Sequence, residues 1–516
     1  MKYIAAFDIG TTNVKGILVS QDMGVRAERD VPLRILQSGQ RMEQHPDDWY
    51  AAVADISRHW FSAGIAPEAI VSVTFSGQMQ DCIPVDERLR PIRPAILYSD
   101  GRASAESDRL RADIGDEEIF RVTGNHMDGT LTFPKLLWLR EHEPDAYERT
   151  AGFLISAKDY VVARLTGELA TDPTAASTSG CMAIATRDWA GAWFERYGLD
   201  PGKMPPVRPS DEQVGVVVPE AAAFTGFAPG TPVLCGIGDA GAATLGAGIY
   251  REGDLYAYIG TTGWVAAAAS AFVDVSSGAF NLSYVKPKSY IAIAPVLNAG
   301  NVMEWALAAF GPAAAPGGAG AEAGGPEPGG TETAETAYEA FERLLRTSDR
   351  SANELLFLPY LNGERCPVQN GRASGSMIGL RPTSTKADMG VAVLEGVAFA
   401  LRQMMEVVAP AAPAPSGRRM TMIGGGTKSR LWCQIMADIF GFEIAVPGEA
   451  QYLPSAGAAA LAFAAVGWTG DYREAVDRLG RDRQEEIFVP DPELIAHYER
   501  KYERYKLLYP ALEALF

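Results

Sequence analysis

Ile9-Gly10-Thr11-Thr12 and Ile259-Gly260-Thr261-Thr262 are the same four residues met twice, once near the start of the chain and once near its middle. Each copy follows a short apolar run, Tyr3 to Phe7 in the first and Leu255 to Tyr258 in the second. Each precedes another, Val14 to Val19 and Trp264 to Ala269. Apolar run, small polar turn and apolar run make the pattern of a β-hairpin, so both stretches read as hairpins with a Gly-Thr-Thr turn. Repetition at about half the chain length predicts two halves built on one plan.

Outside the hairpins, strand-like and helix-like segments alternate. Ile70 to Phe75 and Thr231 to Gly236 are short β-branched or apolar runs ending in glycine or small polar residues, as buried parallel strands do. After Gly424-Gly425-Gly426, the residues Leu431, Ile435 and Ile439 recur at helical spacing; Gly441 ends that helix and Phe442 to Val446 reads as a strand. Tyr498, Tyr502 and Tyr505, again at helical spacing, predict a final helix docked on the core. The fold class is α/β.

A chain of 516 residues is too long for one domain. The expected division is 1–247 and 248–516, just before the second hairpin. Residues 311–336, almost wholly Gly, Ala, Pro, Glu and Thr, read as a flexible surface insertion in the second half. With 46 basic against 64 acidic side chains and a net charge of −18, the chain lacks the footprint that nucleic acid or an anionic membrane requires. Small anions stay compatible, because backbone N–H groups build local positive pockets. The five scattered cysteines form no C-x-x-C pair and indicate neither a disulfide framework nor zinc. Asp8 comes too early for a signal-peptide core, and the apolar stretch Ala456 to Trp468 is too short to span a membrane, so a cytoplasmic protein is expected.

Several clusters carry chemistry. A Gly-Thr-Thr turn offers backbone N–H groups and two hydroxyls to a phosphate, and two such turns suit a triphosphate held from both sides. Asp8 ends the first strand, where a carboxylate can hold Mg²⁺, and Lys15 across the hairpin adds a cation. The alternative is a pair of ordinary Thr-rich hairpins. Gly424-Gly425-Gly426-Thr427-Lys428-Ser429, at a strand-to-helix junction, is a second nucleotide signal. Gly236-Ile237-Gly238-Asp239-Ala240-Gly241 matches the dinucleotide fingerprint G-x-G-x-x-G, but a carboxylate inside that loop would oppose a pyrophosphate. The loop reads better as presenting Asp239 at a strand end, where it can take a proton from a substrate hydroxyl; a capping aspartate is the plainer alternative. Ser76-Gly77-Gln78-Met79-Gln80-Asp81 and Tyr98-Ser99-Asp100-Gly101-Arg102 supply amides and carboxylates of the kind that hold a polyol, although Arg102 can equally pair with a neighbouring acid. The five histidines show no metal spacing, and no G-x-S-x-G elbow is present.

In order along nearly the whole chain, these residues resemble the FGGY family of carbohydrate kinases, and most closely its xylulokinase-like members. Asp8 to Lys15 resembles the first phosphate motif, Glu43-Gln44-His45-Pro46-Asp47-Asp48-Trp49 the E-Q-x-P-x-x-W segment, and Ser76 to Met79 the S-G-Q-M. Lys158-Asp159-Tyr160, Arg164 to Gly167 and Ala170-Thr171-Asp172 are similar to the stretch that follows. Gly238-Asp239 resembles the catalytic G-D, Gly260 to Gly263 the second phosphate motif, Leu358 to Arg365 the L-P-Y-L-x-G-E-R, and Gly424 to Asp438 the adenosine motif.

The resemblance implies two ribonuclease H-like lobes of the actin type with an active-site cleft between them, sugar binding in the first and ATP binding in the second. It implies Asp239 as general base, Asp8 and Asp239 at Mg²⁺, and Gln78, Met79, Gln80, Asp100, Arg102 and Asp239 around the sugar. Thr11, Thr12, Lys15, Gly260, Thr261, Thr262, Gly300, Gly425, Gly426 and Lys428 would serve ATP. A homodimer is the expected assembly. D-xylulose, phosphorylated to D-xylulose 5-phosphate, is the leading acceptor. The sugar-side residues depart from the pattern: Met79-Gln80-Asp81 stands for M-H-G, Ala240 for the Asn of G-D-N, and Tyr98-Ser99-Asp100 for W-N-D. Another ketopentose, a polyol or a sugar acid therefore stays open, although Asp81 would oppose an acid if it faced the pocket. An ATP-driven switch without a sugar acceptor and a dehydrogenase are the alternatives from other classes.

Overall fold

Burial of nearly every residue from Ile4 to Ile9 and from Val14 to Ser20 makes the first hairpin a core element. It pairs β1 (Tyr3–Ile9) with β2 (Asn13–Ser20) antiparallel, with Asp8 opposite Lys15, and its turn closes where the Gly10 N–H donates to the Asn13 carbonyl at 3.0 Å. The computed structural model describes residues 1–39, 41–311, 336–409, 419–448, 450–481 and 484–516. The insertion read at 311–336 lies, apart from its end residues, outside them.

The chain divides into two compact units, the first made of Met1–Asp254, Ala267–Ile293 and Glu449–Gln484, and the second of Leu255–Ala266, Ala294–Gly448 and Glu485–Phe516. The first passage between them falls a little beyond the expected division at 247, and the chain then re-enters the first unit twice.

In the first unit, β3 (Val25–Pro32) extends the hairpin and β4 (Ile70–Gly77) runs parallel to β1 on its other side. Beyond β4 come β5 (Gln213–Val216) and β6 (Pro232–Leu234), and the short β7 (Ile237–Gly238) also lies parallel to β4. Phe7 stacks on Phe75 at 5.4 Å and tilts against Trp60 of helix α1 (Pro46–Ser62) at the same distance, which fixes the apolar layer on one sheet face. Further helices of this unit are α2 (Thr132–His142), α3 (Ala157–Thr166), α4 (Pro173–Ser177) and α5 (Asp239–Gly246). Small residues let α5 pack closely on the helix Leu453–Ala465. A Cβ on Gly246 would lie 2.0 Å from the Leu453 carbonyl oxygen, and one on Gly457 2.0 Å from that of Ala242.

The second unit repeats the hairpin as β8 (Leu255–Ile259) and β9 (Gly263–Ala269), closed by the Gly260 N–H donating to the Thr262 carbonyl at 2.8 Å. β10 (Arg419–Ile423) runs parallel to β8, β11 (Glu443–Pro447) parallel to β10, and β12 (Glu485–Phe488) antiparallel at the edge. Its helices include α6 (Gly300–Phe310), α7 (Ala337–Leu345), α8 (Lys386–Val408), α9 (Arg430–Phe440) and α10 (Pro492–Tyr505). As the periodicity predicts, Leu431, Ile435 and Ile439 are buried on α9, which ends at left-handed Gly441, and Tyr498, Tyr502 and Tyr505 of α10 pack around Phe399 of α8. All five cysteines are buried and unbridged, and among the described residues no helix is long and apolar enough to cross a membrane.

Candidate active site

Three parallel strands of the first unit finish together. Asp8 of β1 stands beside Ser76 of β4, Ile237 of β7 is also in register with Ser76, and Gly238 is in register with Gly77. The residue after β7 is Asp239, so two carboxylates and a serine gather at the carboxyl ends of adjacent strands, where open α/β sheets bind ligands. Ser76 Oγ donates to Asp8 Oδ1 at 2.9 Å, while Lys15 Nζ donates to the Gln451 carbonyl at 3.2 Å. Burial raises the Asp8 carboxyl; the Ser76 hydrogen bond and the Lys15 charge act against it. Asp239 is partly buried and accepts the Ala240 N–H at 2.7 Å. Desolvation first, with the charges of Asp8 and Asp172, pushes its carboxyl up to about 7 despite that hydrogen bond. A carboxyl balanced there is ionised often enough to accept a proton and basic enough to hold it.

The glycines around Asp239 serve the protein rather than a dinucleotide. Gly236 has φ +76°, and a Cβ on it would lie 2.3 Å from the Phe75 carbonyl oxygen; one on Gly238 would strike Met79 Sδ, and one on Gly241 would strike Ile237. Behind the loop, buried Lys158 reaches Asp159 Oδ1 at 2.6 Å, Asp172 Oδ1 at 3.0 Å and the Cys235 carbonyl at 3.2 Å. Asp172 also caps α4 by accepting the Thr174 N–H at 2.9 Å.

The residues assigned to the sugar separate into two groups. Met79 and Gln80 are partly exposed, Met79 against Gly238 and Gln80 in the left-handed region at φ +65°. Gln78, Asp100 and Arg102 are committed within the protein. Gln78 accepts Thr11 Oγ1 at 2.9 Å and donates to Gln44 Oε1 at 3.0 Å, and Gln44 in turn holds the Thr11 carbonyl at 2.7 Å. Asp100 accepts the Met42 N–H at 2.6 Å and pairs with Arg102 at 2.6 Å; Arg102 also binds Glu43 at 2.6 Å and lies over the Trp138 ring. These three side chains brace the turn and the loops. Asp81 is wholly buried as well.

In the second unit, two segments converge on the second turn. The Gly300 N–H donates to the Gly260 carbonyl at 2.8 Å, and a Cβ on Gly300 would lie 2.4 Å from that oxygen, so α6 starts against the turn only because residue 300 is glycine. Gly424, at φ +101°, is pressed on the Ile259 carbonyl, and Gly426 on the Ile259 side chain, whereas a Cβ on Gly425 would meet open space. Thr261, Thr262, Gly425 and Lys428 are exposed. A short 3₁₀ turn, Gly425–Lys428, separates the loop from α9. The first turn of α9 is already satisfied, because Ser429 Oγ accepts the Trp432 N–H at 3.3 Å and Glu342 accepts that of Leu431 at 3.2 Å.

The model of the FGGY family of carbohydrate kinases, N-terminal domain, matches residues 3–246, and that of the C-terminal domain matches residues 255–466. The chain belongs to the FGGY family of carbohydrate kinases. Xylulose kinases of Bacillus subtilis and Escherichia coli are each 30% identical to it, over 99% and 98% of this chain and 97% and 98% of theirs. A gluconokinase of Bacillus subtilis is 26% identical over 93% of this chain and 90% of its own. Among solved structures, ligand-bound xylulose kinase from Lactobacillus acidophilus superposes with a TM-score of 0.86 at 25% identity, covering 100% of this chain and 99% of that one. Gluconate kinase from the same organism shares the fold, with a TM-score of 0.87 at 24% identity, covering 99% of this chain and 98% of that one.

As an FGGY kinase, the protein is an ATP-dependent sugar kinase. Gly425, where a Cβ would meet open space, leaves room for the nucleotide at this junction, while Gly260, Gly300, Gly424 and Gly426 let the turn pack on its own neighbours. A divalent cation would fit Asp8 and Asp239, two carboxylates at neighbouring strand ends, since Mg²⁺ asks for one or two carboxylates and completes its shell with water and phosphate. Four further residues that bear on this FGGY site carry no assigned role in the sequence reading: Ser76, Gln44, Asp172 and Lys135. A lysine inside the apolar run Leu131 to Leu139 is the signal that marks Lys135 as a buried cation.

Proposed function

We propose that the protein transfers the γ-phosphate of ATP to the 5-hydroxyl of D-xylulose, with Asp239 as general base. The observation that carries this reading is Asp239 itself: a partly buried carboxyl at a strand end, beside Asp8, with its proton affinity raised to about 7. Phosphoryl transfer asks mainly for positioning and charge neutralisation. In this account the sugar hydroxyl lies within hydrogen-bond reach of Asp239, Met79 packs the sugar carbons, and the Gln80 amide pairs a hydroxyl. Thr11, Thr12 and Lys15 of the first turn and Gly260, Thr261, Thr262, Gly300, Gly425, Gly426 and Lys428 of the second unit hold the nucleotide. Mg²⁺, when bound at Asp8, neutralises phosphate charge. The choice of D-xylulose is supported by the two xylulose kinases that resemble this chain along its whole length.

A sugar acid is the second reading. The Bacillus subtilis gluconokinase favours it. ADP release and phosphosugar formation with D-xylulose, D-ribulose, xylitol and D-gluconate separate the two. The expected outcome is a kcat/KM for D-xylulose at least about tenfold above the others, the scale one mispaired hydroxyl sets. A preference for gluconate would replace the acceptor, and ADP release without any phosphosugar would overturn the reading.

A further inference from the structure

Lys135 is the one charged residue in the first two turns of α2, and its side chain is completely buried. Its Nζ donates to three backbone carbonyls from three different segments, Gln80 at 2.8 Å, Leu97 at 2.7 Å and Thr130 at 2.5 Å. The charged and titratable groups around it are Asp81, Cys82, Asp100 and Asp128, with Asp81 exerting the largest pull. Asp81 is also without exposure. Its Oδ1 accepts the Tyr98 N–H at 3.1 Å, its own N–H donates to the Ile155 carbonyl at 3.0 Å, and its carbonyl accepts Thr132 Oγ1 at 3.1 Å. Asp81 Oδ2 has no hydrogen-bond partner among the described residues.

A buried ammonium with a nearby buried acid is a costly arrangement, and apolar residues of the same size would often be as stable. What the pair provides is a connection. The segment Gln78 to Cys82 carries Met79 and Gln80, and the segment Leu97 to Arg102 carries Tyr98, a residue 41% exposed whose hydroxyl interacts with Thr11. Lys135 ties a carbonyl of the first segment to one of the second, and Asp81 ties its carboxyl to an N–H of the second. Gln80 sits in the left-handed region, a conformation that a non-glycine residue keeps only when its surroundings impose it. The Lys135 bond to its carbonyl is one such constraint.

We propose that Lys135 and Asp81 are positioning residues that join the segments 78–82 and 97–102 into one body and thereby set which acceptor hydroxyl reaches Asp239. The inference rests on reading the strand ends of the first unit as the acceptor site. Its reach is graded: the clamped segments carry the acceptor residues themselves, whereas they meet the nucleotide residues only at Thr11, which bonds Gln78 and Tyr98, so the acceptor KM should respond more than the ATP KM.

Lys135→Met and Asp81→Asn test it beside the wild type, with the four acceptors above and amide hydrogen exchange over 78–82 and 97–102. Lys135→Met is expected to raise the D-xylulose KM about tenfold or more, with kcat and the ATP KM within about threefold, and to flatten the ranking of acceptors. Both segments should exchange faster. Asp81→Asn keeps an acceptor for the Tyr98 N–H but loses the acid, and should give a smaller rise in the same KM. Acceptor KM, ranking and exchange all unchanged in a folded Lys135→Met protein would overturn the inference, as would an equal rise in the ATP KM. If Lys135→Met does not fold, an unchanged acceptor KM in Asp81→Asn, or rapid exchange of the Tyr98 amide in the wild type, overturns it instead. A wild type inactive on all four acceptors would sink the acceptor assignment, while exchange would still decide whether the clamp exists.

Discussion

Asp239 pays for its chemistry in stability. Its folded-state carboxyl is raised to about 7, above its ordinary value, so burial opposes the ionised form. For a group raised in this way, the favourable contribution is present below the unfolded pKa and is lost as the pH climbs through the folded value. Removing the charge should therefore stabilise the protein most at pH 8, less at pH 5, and little below the ordinary carboxylate value of 3.8. Partial exposure tempers the full linkage, leaving an expected gain of about 1–2 kcal/mol for Asp239→Asn. Thermal melts of wild type and variant at both pH values, without nucleotide or Mg²⁺, check this; a variant less stable at pH 8 would contradict it. Asp239 was legible in the sequence because a strand followed by Gly-Asp leaves the acid at a strand end. Asp81 was legible only as a residue type. Its burial depends on Lys135 and Tyr98, which are distant in sequence, and no local pattern says which way a loop carboxylate turns. Gln78, Asp100 and Arg102 show the same limit, since polar residues that brace a turn and polar residues that hold a sugar look alike in sequence.

Glycines decide the elements. At Gly300 the helix α6 begins within hydrogen-bond distance of the second turn, and the 2.4 Å that a Cβ would have to the Gly260 oxygen leaves no room for alanine. Gly300→Ala should displace the turn and raise the ATP KM about tenfold or more with a smaller effect on the acceptor KM, a split that steady-state kinetics reads directly. Gly246 and Gly457 set the spacing of α5 and the helix Leu453–Ala465. Gly246→Ala overpacks that crossing against backbone, and should cost about 1–3 kcal/mol and lower the melting temperature. Both hairpins, the helix at 430–440 with its glycine stop and the tyrosine helix are readable from period and punctuation. The satisfied first turn of α9 is not, because Glu342 comes from α7, far earlier in the chain. A helix that looks open to a nucleotide in sequence is closed by a residue that sequence distance hides.

At the scale of the molecule, the repeated Ile-Gly-Thr-Thr divides the chain into an N-terminal half with Asp239 and a C-terminal half with the glycine-rich junction, as the two family domains do. The re-entry of Ala267–Ile293 and Glu449–Gln484 into the first unit is invisible in the sequence, because strand and helix patterns state that a face is buried but not against what. The net charge of −18 opposes polyanions by its field, so in the proposed function ATP relies on backbone N–H groups, threonine hydroxyls and a few lysines. The central claim is that Asp239 performs the proton transfer while other residues hold the nucleotide. Its most direct test is Asp239→Ala, with ATP binding measured by calorimetry and phosphosugar formation measured from D-xylulose on the same preparation. The account predicts ATP affinity within about threefold of wild type and transfer lowered by about 10²–10⁴, the range for losing a general base. Phosphosugar formation at the wild-type rate would show that another group is the base and would contradict it.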